Sequence, residues 1–116
     1  MKRHIYDCRP GCPVASTLQI ISVKWKAVIL YQLMQQPLAH FGELQRQMPA
    51  CSRRMLALQL KELEQDGVIQ KQVYPGLPPK TDYQLTAFGA TLIPVILSME
   101  AWGNAYNARE QKNTAN

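Results

Sequence analysis

Prolines at positions 37 and 49 stop one helix and then the next, so the middle of this chain can hold only short elements. Proline lacks the N–H that a continuing helix would use, so the helical pattern from Lys24 to Gln36 ends at Pro37. Within it Trp25, Ile29 and Leu33 recur every four residues, with Leu30 on the same side. A further helix runs from about Phe41 to Met48, with Phe41, Leu44 and Met48 at i, i+3 and i+7, and Pro49 stops it. Ser52 then offers an N-cap side chain for a helix that carries Leu56, Leu60 and Leu63 on one stripe. Gln65-Asp66-Gly67 reads as its glycine C-cap. Two short amphipathic helices joined by a tight turn form a helix-turn-helix, here over about residues 41–66.

Beyond Gly67 the apolar period changes from that of a helix to that of a strand. Val68 to Tyr74 reads as one strand and Pro75-Gly76-Leu77-Pro78-Pro79 as a turn. Lys80 to Leu85 is a second strand, with Thr81, Tyr83 and Leu85 on one face and Lys80, Asp82 and Gln84 on the other. This hairpin, about residues 68–85, is a wing. Upstream, Pro10, Gly11 and Pro13 break up an N-terminal arm, and Pro13 suits the first turn of a helix through Val14, Leu18 and Ile21. Downstream, Thr86 is an N-cap for one last long helix, with Phe88, Leu92, Ile96, Met99 and Trp102 or Tyr106 along its stripe. Ile93, Val95 and Leu97 lie outside that stripe, so the helix needs a partner besides its own domain. Pro94 inside the pattern predicts a bend. The expected fold class is mainly α with a small β-hairpin (α+β): one winged helix-turn-helix domain over residues 1–116.

Composition narrows the function. With 116 residues, 47% hydrophobic and 18% charged, the chain buries one ordinary core and is no disordered tail. No apolar run approaches about 18 residues, so no membrane partner is expected. Met1 to Asp7 carries basic residues without the apolar core of a secretory signal. Three cysteines, at 8, 12 and 51, are an odd number and too few for a secreted disulfide scaffold, so a cytoplasmic protein is expected. Cys8 and Cys12 lack the second close pair that structural zinc needs, so no metal site is expected. With two histidines, no Gly-rich phosphate loop and no GxSxG, neither an enzyme nor a cofactor is expected.

The formal net charge of +5 fits a polyanion partner. Ser52, Arg53 and Arg54 stand at the start of the second helix of the pair, the one that enters the major groove in such domains. Arginines there work against the helix dipole, so helix stability does not explain them. Arginine can contact guanine O6 and N7 with two hydrogen bonds. Ala57, Leu58, Gln59 and Lys61 lie further along, Lys61 about two turns past the arginines on the exposed side. Lys71 and Lys80 on the wing strands, and His40 just before the helix pair, read as phosphate neighbours. Each residue alone also suits solvated surface; together they favour double-stranded DNA. The arm residues Lys2, Arg3, His4 and Arg9 read as a frayed terminus. The competing reading is a winged-helix protein-interaction module without DNA binding, which has no use for a basic face.

These residues together resemble the HxlR family of bacterial winged helix-turn-helix transcription regulators, relatives of the MarR type. The matching stretches begin with Cys12-Pro13, Lys24-Trp25-Lys26 leading into Ile29-Leu30, and Phe41-Gly42-Glu43-Leu44. They continue with Met55-Leu56, Leu60 through Gly67, Pro78-Pro79, Tyr83-Gln84-Leu85-Thr86, Gly89 and Trp102-Gly103, covering roughly residues 8 to 105. The resemblance implies a homodimer on a pseudo-palindromic operator, joined by elements at about 12–22 and 86–110. Leu18, Leu92, Ile96, Met99, Trp102 and Tyr106 are the implied interface. It also implies that an N-terminal cysteine can sense a small electrophile or oxidant. Cys12 matches the family's Cys-Pro position and Cys8 is an extra thiol beside it. The chain departs from the family pattern with Ser22-Val23 in place of two glycines, His40 in place of arginine and Ala57 in place of threonine. Cys51 replaces an aliphatic residue at the helix-turn-helix turn, where a small buried hydrophobe serves equally well.

Overall fold

Caps and breakers set the element boundaries in the computed structural model, which describes residues 3–114. In chain order the elements are α1 (Cys12–Ile21), α2 (Lys24–Gln35), β1 (Ala39–His40), α3 (Phe41–Gln47), α4 (Arg53–Gln65), β2 (Ile69–Tyr74), β3 (Lys80–Leu85), α5 (Ala87–Ala90) and α6 (Ile93–Thr114). The helices α3 and α4 are the expected pair. Ser52 Oγ accepts the Met55 N–H at 3.1 Å, and Gly67 follows α4 at φ 78°, a left-handed turn that favours glycine. Strands β2 and β3 pair antiparallel from Ile69 opposite Leu85 to Tyr74 opposite Lys80.

The inward stripe of α4, Leu56, Leu60 and Leu63, is buried against Ile29, Leu30 and Leu33 of α2, with Leu44, Val68 and Ile69 completing the core. Each of those leucines contributes roughly 1.5–3 kcal/mol by leaving water. Thr86 joins the wing to the core: its Oγ1–H donates to Gly67 O at 2.7 Å and its Oγ1 accepts the Gly89 N–H at 2.9 Å. Gly89 is fixed by close approach, since a Cβ there would stand 1.8 Å from the Val68 carbonyl oxygen.

Several expectations are corrected. The hairpin is two strands of a three-stranded sheet ordered β1-β3-β2, with Ala39 opposite Tyr83 and His40 opposite Asp82. The last helix is two helices, so the expected bend inside one helix is instead a break at Thr91-Leu92. Pro94 falls in the first turn of α6, where its missing N–H would have had no helical partner anyway. Asp82, on the strand face it shares with Lys80 and Gln84, is 4% exposed. Gln59 is buried too, its Nε2 near Met55 Sδ at 3.2 Å. The arm is docked rather than frayed where Arg3 grips Asp66, through Nε at 2.8 Å and Nη2 at 2.9 Å. Lys2 lies outside the described residues.

Two helices also exchange an ion pair that periodicity cannot reveal. Lys26 of α2 is 2% exposed and its Nζ lies 2.7 Å from Glu62 Oε1 of α4. A charge this buried needs such a partner. Lys26 therefore anchors the C-terminal half of α4 to the body.

Candidate nucleic-acid interface

The outward face of α4 is set by the leucine stripe on its inner side. With Leu56, Leu60 and Leu63 inward, the period leaves Ser52, Arg53, Arg54, Met55, Ala57, Leu58 and Lys61 exposed. The six expected DNA-facing positions on or beside this helix, Ser52, Arg53, Arg54, Ala57, Leu58 and Lys61, are thus all exposed, whereas Gln59 faces the interior. Next to this face a groove of about 650 Å³ opens between α3, the start of α4 and the wing. Its lining brings together Arg53, Ala57 and His40 with Lys80 and Pro79 from the wing. Arg53 is held over the Phe41 ring, with Cζ 5.2 Å from the centroid, a cation–π placement, and both residues line the groove.

Lys71 does not join them. It lies opposite Tyr83 whereas Lys80 lies opposite Tyr74, an odd number of residues along the ladder, so the two lysines occupy opposite faces of the hairpin. His40 lines the groove, but its ring is engaged by carboxylates. Its Nδ1 contacts Asp82 Oδ1, and its Nε2 is 3.6 Å from Glu43 Oε1. Arg46 lines the same groove, although no local pattern in the sequence singles it out. It sits in the last turn of α3, where a cation favours the helix dipole, so nothing marked its position as unusual.

Among the described residues the expected DNA-facing cations Arg53, Arg54, Lys61, Lys71 and Lys80 are unpaired, with no carboxylate within ion-pair distance, although Glu43 also lines the groove. Of the acids near the far end of α4, Glu62 is engaged with Lys26 and Asp66 with Arg3, while Glu64 is exposed.

Two further features lie away from the groove. On α6 only Ile96 is buried, so Ile96 belongs to the protomer's own core rather than to a free face, and Leu92 packs against that core. Met99, Trp102 and Tyr106 remain exposed, Trp102 at 71%, with the Trp102 and Tyr106 rings stacked 5.6 Å apart. Leu18 on α1 is likewise exposed. At the other end, the sulfurs of Cys8 and Cys12 lie 3.2 Å apart, with Cys8 exposed. Cys51 is buried in the turn between α3 and α4, and burial pushes its thiol up from the ordinary range. It packs as the small hydrophobe its position asks for.

The HxlR-like helix-turn-helix family matches residues 20–111. The chain belongs to this family. Among HxlR-type relatives it is 51% identical to the HTH-type transcriptional regulator YdeP of Bacillus subtilis over 88% of this chain and 79% of that protein. The redox regulator HypR in its oxidized form has a similar structure, with TM-score 0.75 and 45% identity over 81% of this chain and 96% of HypR. HypR in its reduced form gives TM-score 0.79 and 41% identity over 86% of this chain and 98% of HypR. The HxlR-type chain described here is thus a transcriptional regulator of helix-turn-helix type with a winged-helix fold. Among its described residues no helix is long and apolar enough to cross a membrane.

Proposed function

We propose that the protein binds double-stranded DNA sequence-specifically as a homodimer, with α4 in the major groove and the wing on the flanking backbone. One observation carries this reading: the exposed N-terminal end of α4 presents Arg53 and Arg54 without a carboxylate partner among the described residues, beside the groove that also collects Lys80. Free guanidiniums suit guanine edges, and Lys80 suits a phosphate. Leu18, Met99, Trp102 and Tyr106 form the dimer contact. Without a partner, α6 extends most of its 22 residues into water with a stacked aromatic pair uncovered. A dyad through that contact places two copies of α4 in successive major grooves, about 34 Å apart, on a pseudo-palindromic operator in the cytoplasm.

The contact between the Cys8 and Cys12 sulfurs favours a second element of this reading, a response to a small oxidant or electrophile. The likeness to HypR, described as a redox regulator, supports it. An electrophoretic mobility shift with the promoter DNA beside the protein's own gene tests the DNA reading. Retardation that weakens steeply with salt is expected, because phosphate contacts release counterions. Absent or salt-insensitive binding leaves the protein-interaction module as the better account.

A further inference from the structure

We propose that Cys8 and Cys12 close an intrachain disulfide on oxidation, and that this bond locks the N-terminal arm along α1 and, through Arg3, onto the end of α4. The inference rests on the oxidant-responsive reading above and gives it a bond and a route.

The arm is already zipped to α1 in antiparallel fashion. The His4 N–H donates to Gln19 Oε1 at 2.8 Å, and Gln19 Nε2 donates back to His4 O at 2.8 Å. The Tyr6 N–H donates to Ser16 Oγ at 3.0 Å. The next step of the same ladder is Cys8 against Cys12, just before the chain reverses. The reversal is built by Gly11 at φ 93° and a Cys12 N–H to Arg9 O bond of 3.0 Å. The sulfurs therefore sit where the two strands of this ladder converge, 3.2 Å apart, and side-chain rotation brings them to the bonding distance of about 2.05 Å. At its other end the arm reaches α4. Arg3 binds both carboxylate oxygens of Asp66, the C-cap residue of that helix. Cys51 is no competitor, since it is 3% exposed and its sulfur faces the Ser52 carbonyl.

With a hydroperoxide as oxidant the chemistry balances. Cys8, the exposed thiol, loses its proton and attacks the peroxide oxygen. The O–O bond breaks, Cys8 becomes a sulfenic acid, and for hydrogen peroxide the leaving hydroxide takes up the proton as water. Cys12 then attacks the sulfenic sulfur; the S–O bond breaks, the S–S bond forms, and a second water leaves. Two thiols lose two electrons and one peroxide is reduced.

Full-length protein is treated with hydrogen peroxide and read by intact mass, peptide mapping, a non-reducing gel and amide hydrogen exchange. None of these readouts requires DNA, so failure of the DNA reading stays separate. The expected result is a monomer lighter by two hydrogens, with Cys8 linked to Cys12, in wild type and in Cys51→Ser. Cys8→Ser and Cys12→Ser lose that species. Exchange at the His4 and Tyr6 amides slows on oxidation in wild type and in Cys51→Ser, and not in Cys8→Ser or Cys12→Ser. A covalent dimer, over-oxidised Cys8 without a disulfide, or an unchanged mass overturns the proposal. A disulfide without slower exchange overturns the locking of the arm. If the disulfide forms but peroxide leaves DNA affinity unchanged, the oxidant-responsive reading fails while the bond stands.

Discussion

The two ends of α4 handle charge in opposite ways. At the C-terminal end Glu62 is held by the buried Lys26 and Asp66 by Arg3, so cations from the rest of the chain neutralise two of the three acids there and leave Glu64 exposed. At the N-terminal end Arg53 and Arg54 are exposed, without a carboxylate in reach among the described residues. Stability explains the first arrangement, because a buried ammonium needs a counter-charge. It does not explain the second, because two cations at a helix start oppose the dipole. One helix is thus bolted down at one end and offered to an anionic partner at the other. The net charge of +5 is thus unevenly placed: Lys26 and Arg3 are paired with acids at one end of the helix, and Arg53 and Arg54 stand without a carboxylate at the other.

This contrast breaks first if the far end proves dispensable. Glu62→Ala strands Lys26 at 2% exposure and is expected to cost about 3–5 kcal/mol, read as a fall in urea midpoint. A loss within about 0.5 kcal/mol, the range of ordinary surface changes, contradicts the anchoring role. Gly89→Ala tests the floor beneath that end. A Cβ driven into the Val68 carbonyl is expected to cost roughly 3 kcal/mol by the same assay. On the DNA side, Lys80→Ala is expected to lower the dependence of log affinity on log salt by about one unit. Lys71→Ala, on the other face of the hairpin, leaves that slope unchanged; equal effects contradict the division of the wing.

The smallest effect is alkaline. Burial raises the Tyr83 phenol above its ordinary value, with Glu64 adding to the shift. Above about pH 10 the unfolded chain has lost a proton that the folded chain keeps, so stability falls as pH rises through the folded value. Tyr83→Phe is expected to flatten the fall of thermal midpoint with pH. Tyr31 and Tyr74, raised in the same direction, leave a residual slope.

Local signals made α4 legible from sequence. Ser52, the leucine stripe and Gly67 each act within a turn of the residues they organise, and the exposed arginines follow from that phase. The features that escaped depend on partners distant in sequence. Nothing near Lys26 announces Glu62, and nothing near Arg3 announces Asp66. Strand β1 is only Ala39 and His40, too short for an alternation to register, and it exists because β3 lies alongside. The break between α5 and α6 was hidden because Phe88, Leu92 and Ile96 keep helical spacing across it. At the site, Arg53, Ala57, His40 and Lys80, each expected to face DNA, line one groove. Lys71 is not among its lining residues, and Arg46, which is, gives no local signal because its place already suits its own helix.

The division of α4 is tested most directly by fluorescence anisotropy of a labelled promoter duplex against wild type, Arg53→Ala and Arg54→Ala over a range of salt concentrations, with thermal midpoints measured alongside. Each variant is expected to lose about 1–3 kcal/mol of binding, about 5- to 150-fold in affinity, while stability changes by no more than about 0.5 kcal/mol. Unchanged affinity in both variants, or a loss of binding that merely tracks a loss of fold, contradicts the assignment of this end of the helix to DNA.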